Sequence, residues 1–294
     1  MSRASGTGTP MKRIFLVAYT KRKKEVGPVL RALLPWLRSV AQVVGIDRED
    51  GKDLGKVDAD LMVVFGGDGT MLSVARRMKG NPVPVLGVNM GVLGFMAEVS
   101  HEDLKQILPG VLAGRGIVSP RMMLQATIVG GGRGQKDRAF IALNDAVLLR
   151  LPKAAMMSVG VSVSGEFVAR YKGDGLIVST ATGSTGYSLS AGGPILSERL
   201  KGFIVVPVCA HTLASRPIVL SGEEQLEIEA ETRSGSPVEL VMDGQVSVSL
   251  KSGTRVRIQK APYEFNIVSL GLKGRFEIIR DKLHWAGWLK EGRG

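Results

Sequence analysis

The chain contains one cysteine, Cys209, in 294 residues. No internal disulfide can form, and the expectation is a reducing, cytoplasmic setting. Cys209 closes an apolar run, Ile204–Cys209, which reads as a buried structural thiol rather than a nucleophile. Aromatic residues make up 5% of the chain, and no basic–aromatic interleaving offers a stacking platform for single-stranded nucleic acid. No apolar run approaches the roughly 18 residues of a membrane span. The N-terminus lacks the long apolar core of a secretory signal. The histidines, His101, His211 and His284, share no metal-ligand spacing with one another or with Cys209. Neither GxxxxGK[ST] nor GxGxxG occurs, so the P-loop and the dinucleotide fingerprint are both excluded.

Apolar residues at 44% and charged residues at 22% describe a folded globular protein, long enough for two domains. The net charge is +12. More than half of that excess lies before residue 25, in Arg3, Lys12, Arg13 and the run Lys21–Lys24, with no acid among them. A basic balance attracts polyanions without choosing among nucleotides, polyphosphates and nucleic acids. Without a stacking platform, nucleic acid is not expected as the partner, and without a spanning run or a membrane-facing apolar patch neither is a membrane.

Residues 1–10 read as a disordered leader. Strands are expected at Arg13–Tyr19, Ala41–Ile46, Asp60–Phe65 and Val83–Asn89, with a helix over Gly27–Val40 that Pro35 should kink or break. A further helix follows Ser100, capped by Ser100 with Asp103 and running to about Leu112. This alternation implies a parallel α/β sheet. From Leu124 the texture changes to short β-branched runs: Leu124–Val129, Phe140–Leu149, Ser158–Ser164, Leu176–Ser179, Gln225–Ala230, Val238–Met242 and Thr254–Gln259. These indicate a mostly antiparallel β domain, a sandwich. Gly130–Arg138 reads as a mobile hairpin loop. The expected division is 11–115 for the α/β domain, 116–264 for the β domain, and 265–294 for a segment returning to the first.

Five motifs carry polar chemistry. In Gly66-Gly67-Asp68-Gly69-Thr70 a buried strand meets a glycine turn and a helix, where backbone N–H groups can approach a phosphate. Asp68 is out of place in a pure phosphate loop; it belongs there if it holds a metal, takes a proton or grips a sugar hydroxyl. As a plain turn, Asp68 or Thr70 would be the helix N-cap. Gly87–Phe95 is a second strand running into glycines, with the polar Asn89 at the strand end. Asn144 and Asp145 interrupt an apolar strand, as a bulge or turn or as ligands for ribose hydroxyls. Lys172–Pro194 places Asp174, a third carboxylate, just before the short strand Leu176–Val178 and a Gly/Ser-rich stretch after it, with Tyr187 available to stack on a base. Asp243-Gly244-Gln245 reads as a hairpin turn or as part of the site.

Taken in order, GGDGT, NMGVLGF, LND, GDGLIVSTATGSTGYSLSAGGPI, PVCAHTLASRPIV and DGQ resemble the NAD kinases from about Leu61 to Gln245. GGDGT alone is shared with lipid-alcohol kinases and phosphofructokinases. The resemblance implies an N-terminal Rossmann-like parallel α/β domain and a C-terminal, mostly antiparallel β-sandwich. It implies transfer of the ATP γ-phosphoryl group to the 2′-hydroxyl of the adenosine ribose of NAD. It further implies a divalent cation, magnesium, and homodimers or homotetramers in the cytoplasm. Position by position, Asp68 matches the proton acceptor within the turn Gly66, Gly67, Gly69 and Thr70. Asn144 and Asp145 match the pair that holds NAD, and Asp174 and Gln245 match further NAD contacts. Lys172 stands where the family often has Arg. Thr185, Gly186, Tyr187, Ser188, Leu189 and Ser190 match the segment that wraps the nucleotide; Asn89 and Thr182 complete the expected site. No metal ligand is assigned. Asp145 stands where many members have Glu, and Gly186 where many have Ala. The alternatives are a lipid-alcohol kinase and a non-catalytic nucleotide- or nucleic-acid-binding protein.

Overall fold

A computed structural model describes residues 12–20, 24–91, 94–130, 136–151, 156–212, 214–233 and 235–283. The leader 1–10, Lys21–Lys23 of the basic run, residues 131–135 of the Gly130–Arg138 loop, and His284–Trp288 lie outside the described residues. The chain forms two compact units. The first holds the described residues up to Met71, Val83–Ser119, and those from Asn266 onward. The second holds Leu72–Pro82 and Pro120–Phe265, so residues 72–82, inside the span expected for the first domain, group with the second unit.

The first unit is built on parallel strands. β1 (Arg13–Ala18), β2 (Gln42–Asp47), β3 (Leu61–Phe65) and β4 (Val85–Asn89) lie in the order β2-β1-β3-β4. The short β5 (Val99–Ser100) pairs with the end of β4. Every residue of β3 and β4 is buried, which is why both read as unbroken apolar runs: a parallel strand is covered on both faces. The helices are α1 (Val26–Val40), α2 (Asp68–Met78), which starts in this unit, and α3 (Leu104–Leu112). Leu30, Leu33 and Leu37 of α1 and Leu104 and Leu108 of α3 pack on alternate strand residues, among them Ile14, Leu16, Leu61, Val63 and Phe65. Ahead of α3, the Ser100 hydroxyl accepts the Asp103 N–H at 3.1 Å and donates to its carboxylate at 2.7 Å, so the expected capping pair forms just outside the helix proper.

α1 continues through Pro35, so the break expected there does not occur. The proline ring is exposed while the apolar face of the helix is buried, so packing outweighs the lost N–H bond.

The second unit is a sandwich of two antiparallel sheets. Its strands are β6 (Ile117–Ile128, entering from the first unit), β7 (Arg138–Ala142), β8 (Asp145–Arg150), β9 (Met157–Val163), β10 (Glu166–Gly173) and β11 (Gly175–Thr180). After a four-residue helix, α4 (Tyr187–Ser190), come β12 (Gly202–Val208), β13 (Ile218–Ser221), β14 (Leu226–Thr232), β15 (Val238–Met242), β16 (Val246–Leu250) and β17 (Arg255–Ser269). One sheet has the order β13-β12-β11-β8-β15-β16; the other contains β10-β9-β14-β17, with β6 paired to β17 and β7. Alternate residues of both sheets, such as Val159, Ile228 and Val256 facing Leu148, Val178, Phe203 and Leu240, form one core. β17 extends well past the expected Thr254–Gln259; Ile267, near its end, pairs with Val85 in the first unit. α5 (Arg275–Leu283) follows it.

Two further expectations are corrected. Phe140–Leu149 is not one strand: the chain bends at Leu143–Asn144 and changes sheet, β7 pairing with β6 and β8 with β11 and β15. Cys209 is exposed rather than buried, because β12 ends at Val208 and the chain turns out through a left-handed conformation, φ 48°.

Pro35→Ala should stabilise the protein by about 1–3 kcal/mol, because the restored N–H completes the α1 ladder on a solvent face. Urea denaturation measures it; an unchanged or lower midpoint would show that the helix has adapted fully to the ring.

Candidate active site

In the first unit the ends of β3 and β4 lie side by side, Phe65 beside Val88, and the Gly66 N–H donates to the Val88 carbonyl at 2.9 Å. This places the GGDGT turn next to Asn89 and the glycines that follow it, at the carboxyl edge of a parallel sheet, where such folds bind ligands. The Gly67 carbonyl accepts from Thr70 and Met71 N–H groups and opens α2. Asp68 and Thr70 both lie inside that helix, so the plain-turn alternative, with one of them as its N-cap, does not describe the turn. The Asp68 carboxylate instead accepts the N–H groups of Phe95 at 2.9 Å and Met96 at 3.0 Å. The side chain comes so close to the loop that a Cβ on Gly94 would overlap it, and a Cβ on Gly66 would overlap the Thr70 side chain. These two glycines are required by contact. Two N–H donors occupy half of the roughly four lone-pair positions of a carboxylate, leaving Asp68 able to accept a proton. Asp68, Gly67 and Thr70 are half-buried, Gly66 is buried and Gly69 is exposed. Asn89 is 4% exposed, and its side-chain oxygen accepts the Gly91 N–H at 3.2 Å, shaping the second loop.

In the second unit the bend before β8 is held by side chains on every side. The Asp243 carboxylate accepts the N–H groups of Leu143 at 3.2 Å, Asn144 at 2.7 Å and Asp145 at 3.2 Å. Arg76 forms an ion pair with the same carboxylate at 2.7 Å and also donates to the Gln245 side chain. From β11, the Thr180 hydroxyl donates to the Leu143 carbonyl at 2.6 Å and the Thr180 N–H to the Asn144 carbonyl at 2.8 Å. Asp243 and Gly244 both have positive φ, 51° and 63°, so the dipeptide is the hairpin turn its sequence suggests, and the left-handed Asp243 points its carboxylate back at the bend. The sequence marks Asp243-Gly244 as a turn but not the bend that the Asp243 carboxylate holds, and nothing local marks Arg76 or Arg150.

The Gly-rich segment packs on the same bend. Thr182–Thr185 forms a single 3-10 turn before α4. A Cβ on Gly183 would overlap the Asn144 carbonyl, and one on Gly186 would lie 3.4 Å from the Asn144 side-chain nitrogen. The Asn144 side-chain oxygen is buried with no hydrogen-bond partner among the described residues, an open acceptor of the kind that folded proteins rarely leave. Ser184 and Ser188 are fully buried; the Ser184 hydroxyl donates to the Ala181 carbonyl and accepts the Leu196 N–H. Thr182, Thr185, Gly186 and Leu189 are half-buried, while Tyr187, Ser190 and Gln245 are exposed. Lys172 and Asp174 stand apart from this cluster, at the corner between β10 and β11. The Asp174 carboxylate pairs with Arg150 at 2.6 Å, and Lys172 is exposed. Gly173 lies against the Val208 and Cys209 carbonyls, leaving no room for a Cβ.

Charge in this cluster is finely set. Asp145 is 5% exposed, and burial, then the Asp243 charge, push its pKa from 3.8 up to about 7. Burial also raises Asp243, opposed by the Arg76 cation and the N–H donors of Asn144 and Leu143. The four donors around Asp243 suit an ionised carboxylate, which leaves Asp145 as the group whose charge changes near neutrality.

A parallel α/β unit with a carboxylate-bearing glycine turn, and a β-sandwich with an Asn–Asp bend, define a nucleotide-dependent phosphotransferase. Family comparison agrees. The ATP-NAD kinase N-terminal domain matches residues 17–116 and the ATP-NAD kinase C-terminal domain residues 143–270. The NAD kinase of Syntrophotalea carbinolica is 40% identical over 287 residues, 94% of this chain and 99% of that protein. That of Rhodopirellula baltica is 36% identical, over 97% of this chain and 90% of the relative. An NAD kinase from Archaeoglobus fulgidus, solved in complex with ATP, superposes with a TM-score of 0.73 at 27% identity, over 94% of this chain and all of that one. Yeast NADH kinase complexed with NADH shares the fold, with a TM-score of 0.81 at 22% identity over 97% of this chain and 90% of its own. The chain belongs to the ATP-NAD kinase family.

The Asp145 pKa has a consequence for stability. Because the folded value lies above the unfolded one, folding takes up a proton between pH 3.8 and about 7. The stability tied to the neutral acid is complete below that window and lost as pH rises through its upper end. Asp145→Asn should therefore raise the melting temperature relative to the parent at about pH 8 and raise it less at about pH 4, read by thermal denaturation. A difference that is constant with pH would contradict a raised Asp145.

Proposed function

We propose that this chain transfers the γ-phosphoryl group of ATP to the 2′-hydroxyl of the adenosine ribose of NAD, with Asp68 as the proton acceptor. The observation that carries the reading is the seat of Asp68: a carboxylate fixed by two backbone N–H groups at a strand end, in the first turn of a helix, with acceptor capacity to spare. A ribose hydroxyl is a poor nucleophile, and phosphoryl transfer relies chiefly on positioning and charge stabilisation. Asp68 orients the hydroxyl and takes its proton as the new P–O bond forms and the bond to the ADP oxygen breaks. The N–H groups of the glycine turn face the phosphates.

Asn144 and Asp145 hold the dinucleotide. The open Asn144 oxygen supports this, since a ribose or amide donor would satisfy it. Tyr187 offers its exposed ring to a base. Asp243 and Arg76 are positioning residues, acting through the bend they hold. Asp174, paired with Arg150, and Lys172 sit at a separate corner and are assigned an outer dinucleotide contact.

Among the described residues no group of three or more His, Cys, Asp or Glu could cage a metal ion. Magnesium does not need such a cage, because it is usually carried on substrate phosphates with one or two carboxylates and several waters. Carried that way, it would neutralise charge on the transferring group and offset the repulsion between Asp68 and the phosphates. A homodimer or homotetramer in the cytoplasm belongs to the same reading. The lipid-alcohol alternative gives no reason for the match to the C-terminal NAD kinase domain.

Asp68→Asn should lower kcat by about 10²–10⁴-fold while leaving the NAD dissociation constant within about threefold. Near-normal turnover in the purified variant would refute the proton-acceptor role. Asn144→Ala and Asp145→Ala should instead raise KM for NAD, with the smaller effect on kcat. An unchanged KM in steady-state assays would remove that pair from the binding site.

A further inference from the structure

Away from the site, the second unit holds a basic cavity that the kinase reading does not use. It has a volume of about 880 Å³ and lies at the far end of β16 from the Asp243–Gln245 turn, where β16 leads into β17. Lys136, Arg138, Lys251 and Arg255 line it, with Glu229 as the one lining acid among the described residues. All four cations are exposed, and none makes an ion pair among the described residues, whereas Arg170, Arg257 and Lys260 on the same sheet are paired with glutamates. The nearby Asp137 is already engaged, accepting the Gly130 N–H at 3.0 Å. Four like charges facing one cavity repel one another, a cost that a bound anion relieves. The Ser249, Ser252 and Thr254 residues on the same wall add hydroxyl groups; among the described residues no aromatic ring lines the cavity, the nearby Phe140 ring lying beneath the Arg138 guanidinium, 5.4 Å from it.

We propose that this basin binds a compact, multiply charged phosphate anion, recognised through its phosphates and not through any base attached to them. Its net balance of four cations to one carboxylate matches a chain of three or more phosphate charges better than a single orthophosphate. A concave wall without aromatic residues favours a short condensed phosphate over a nucleic-acid strand.

Hydrogen exchange resolved by mass spectrometry, on the full-length protein, tests this with sodium tripolyphosphate as the probe. The expected result is slowed exchange over residues 249–255 in the parent. That protection should be lost in Lys251→Gln/Arg255→Gln, with an affinity decrease of about tenfold or more. Turnover of ATP and NAD by the double variant should remain at the parental rate, which also reports that it is folded. ATP should protect the same segment as well as tripolyphosphate does. Protection at residues 66–70 is read separately and reports the kinase site, so failure there leaves this proposal standing. No protection over 249–255, equal protection in the double variant, or protection by ATP or a DNA oligonucleotide but not by tripolyphosphate would overturn it.

Discussion

The Asp243 carboxylate is the constraint on which the bend before β8, and with it the placing of Asn144 and Asp145, depends. A chain cannot leave one sheet for another inside a sandwich without exposing backbone N–H groups to an apolar interior, and each buried group left unpaired costs about 1–3 kcal/mol. Asp243 takes three such groups from Leu143, Asn144 and Asp145 at once, and Arg76 compensates its charge. The result is a sharp corner in the middle of a hydrophobic strand. It carries Asn144 with an open oxygen and Asp145 with a pKa near neutrality. A regular strand could not present both on one side: one of two adjacent residues would face the core and the other the opposite surface.

The first unit uses the same device for another end. There the carboxylate belongs to the proposed catalytic residue itself, and the N–H donors of Phe95 and Met96 come from the neighbouring loop. Asp243 is buried and spends its capacity on the backbone, while Asp68 is half-buried and keeps acceptor positions in reserve. In the proposed mechanism the contrast is that between a positioning carboxylate and a reacting one. It also explains the glycines: Gly94 and Gly183 are each pressed against a group of the site, the Asp68 carboxylate and the Asn144 carbonyl, where any side chain would displace it.

Legibility in the sequence followed from how local each cause is. The parallel strands were plain because burial on both faces leaves an apolar run, and glycines mark where it stops. Asp68 stood out because a carboxylate is anomalous in a phosphate turn. The corner at Asn144 was seen as an interruption but spanned as one strand, since apolar residues continue on both sides and the group that forces the bend lies 99 residues away. Arg76 escaped for the same reason: on an amphipathic helix it looks like any solvated cation. Cys209 misled because an apolar run predicts burial up to its last residue, whereas the strand ends one residue earlier. The plain-turn alternative, with Asp68 as an N-cap, gives way because the N–H donors its carboxylate meets belong to a loop 27 residues on.

The most direct measurement of the central claim is the identity of the product. The purified protein is supplied with magnesium, ATP and NAD, and the phosphorylated dinucleotide is examined by phosphorus NMR. The account predicts one new phosphate monoester on the 2′-oxygen of the adenosine ribose for each ADP released. ADP without a phosphorylated dinucleotide, or a phosphate on any other hydroxyl, would contradict it.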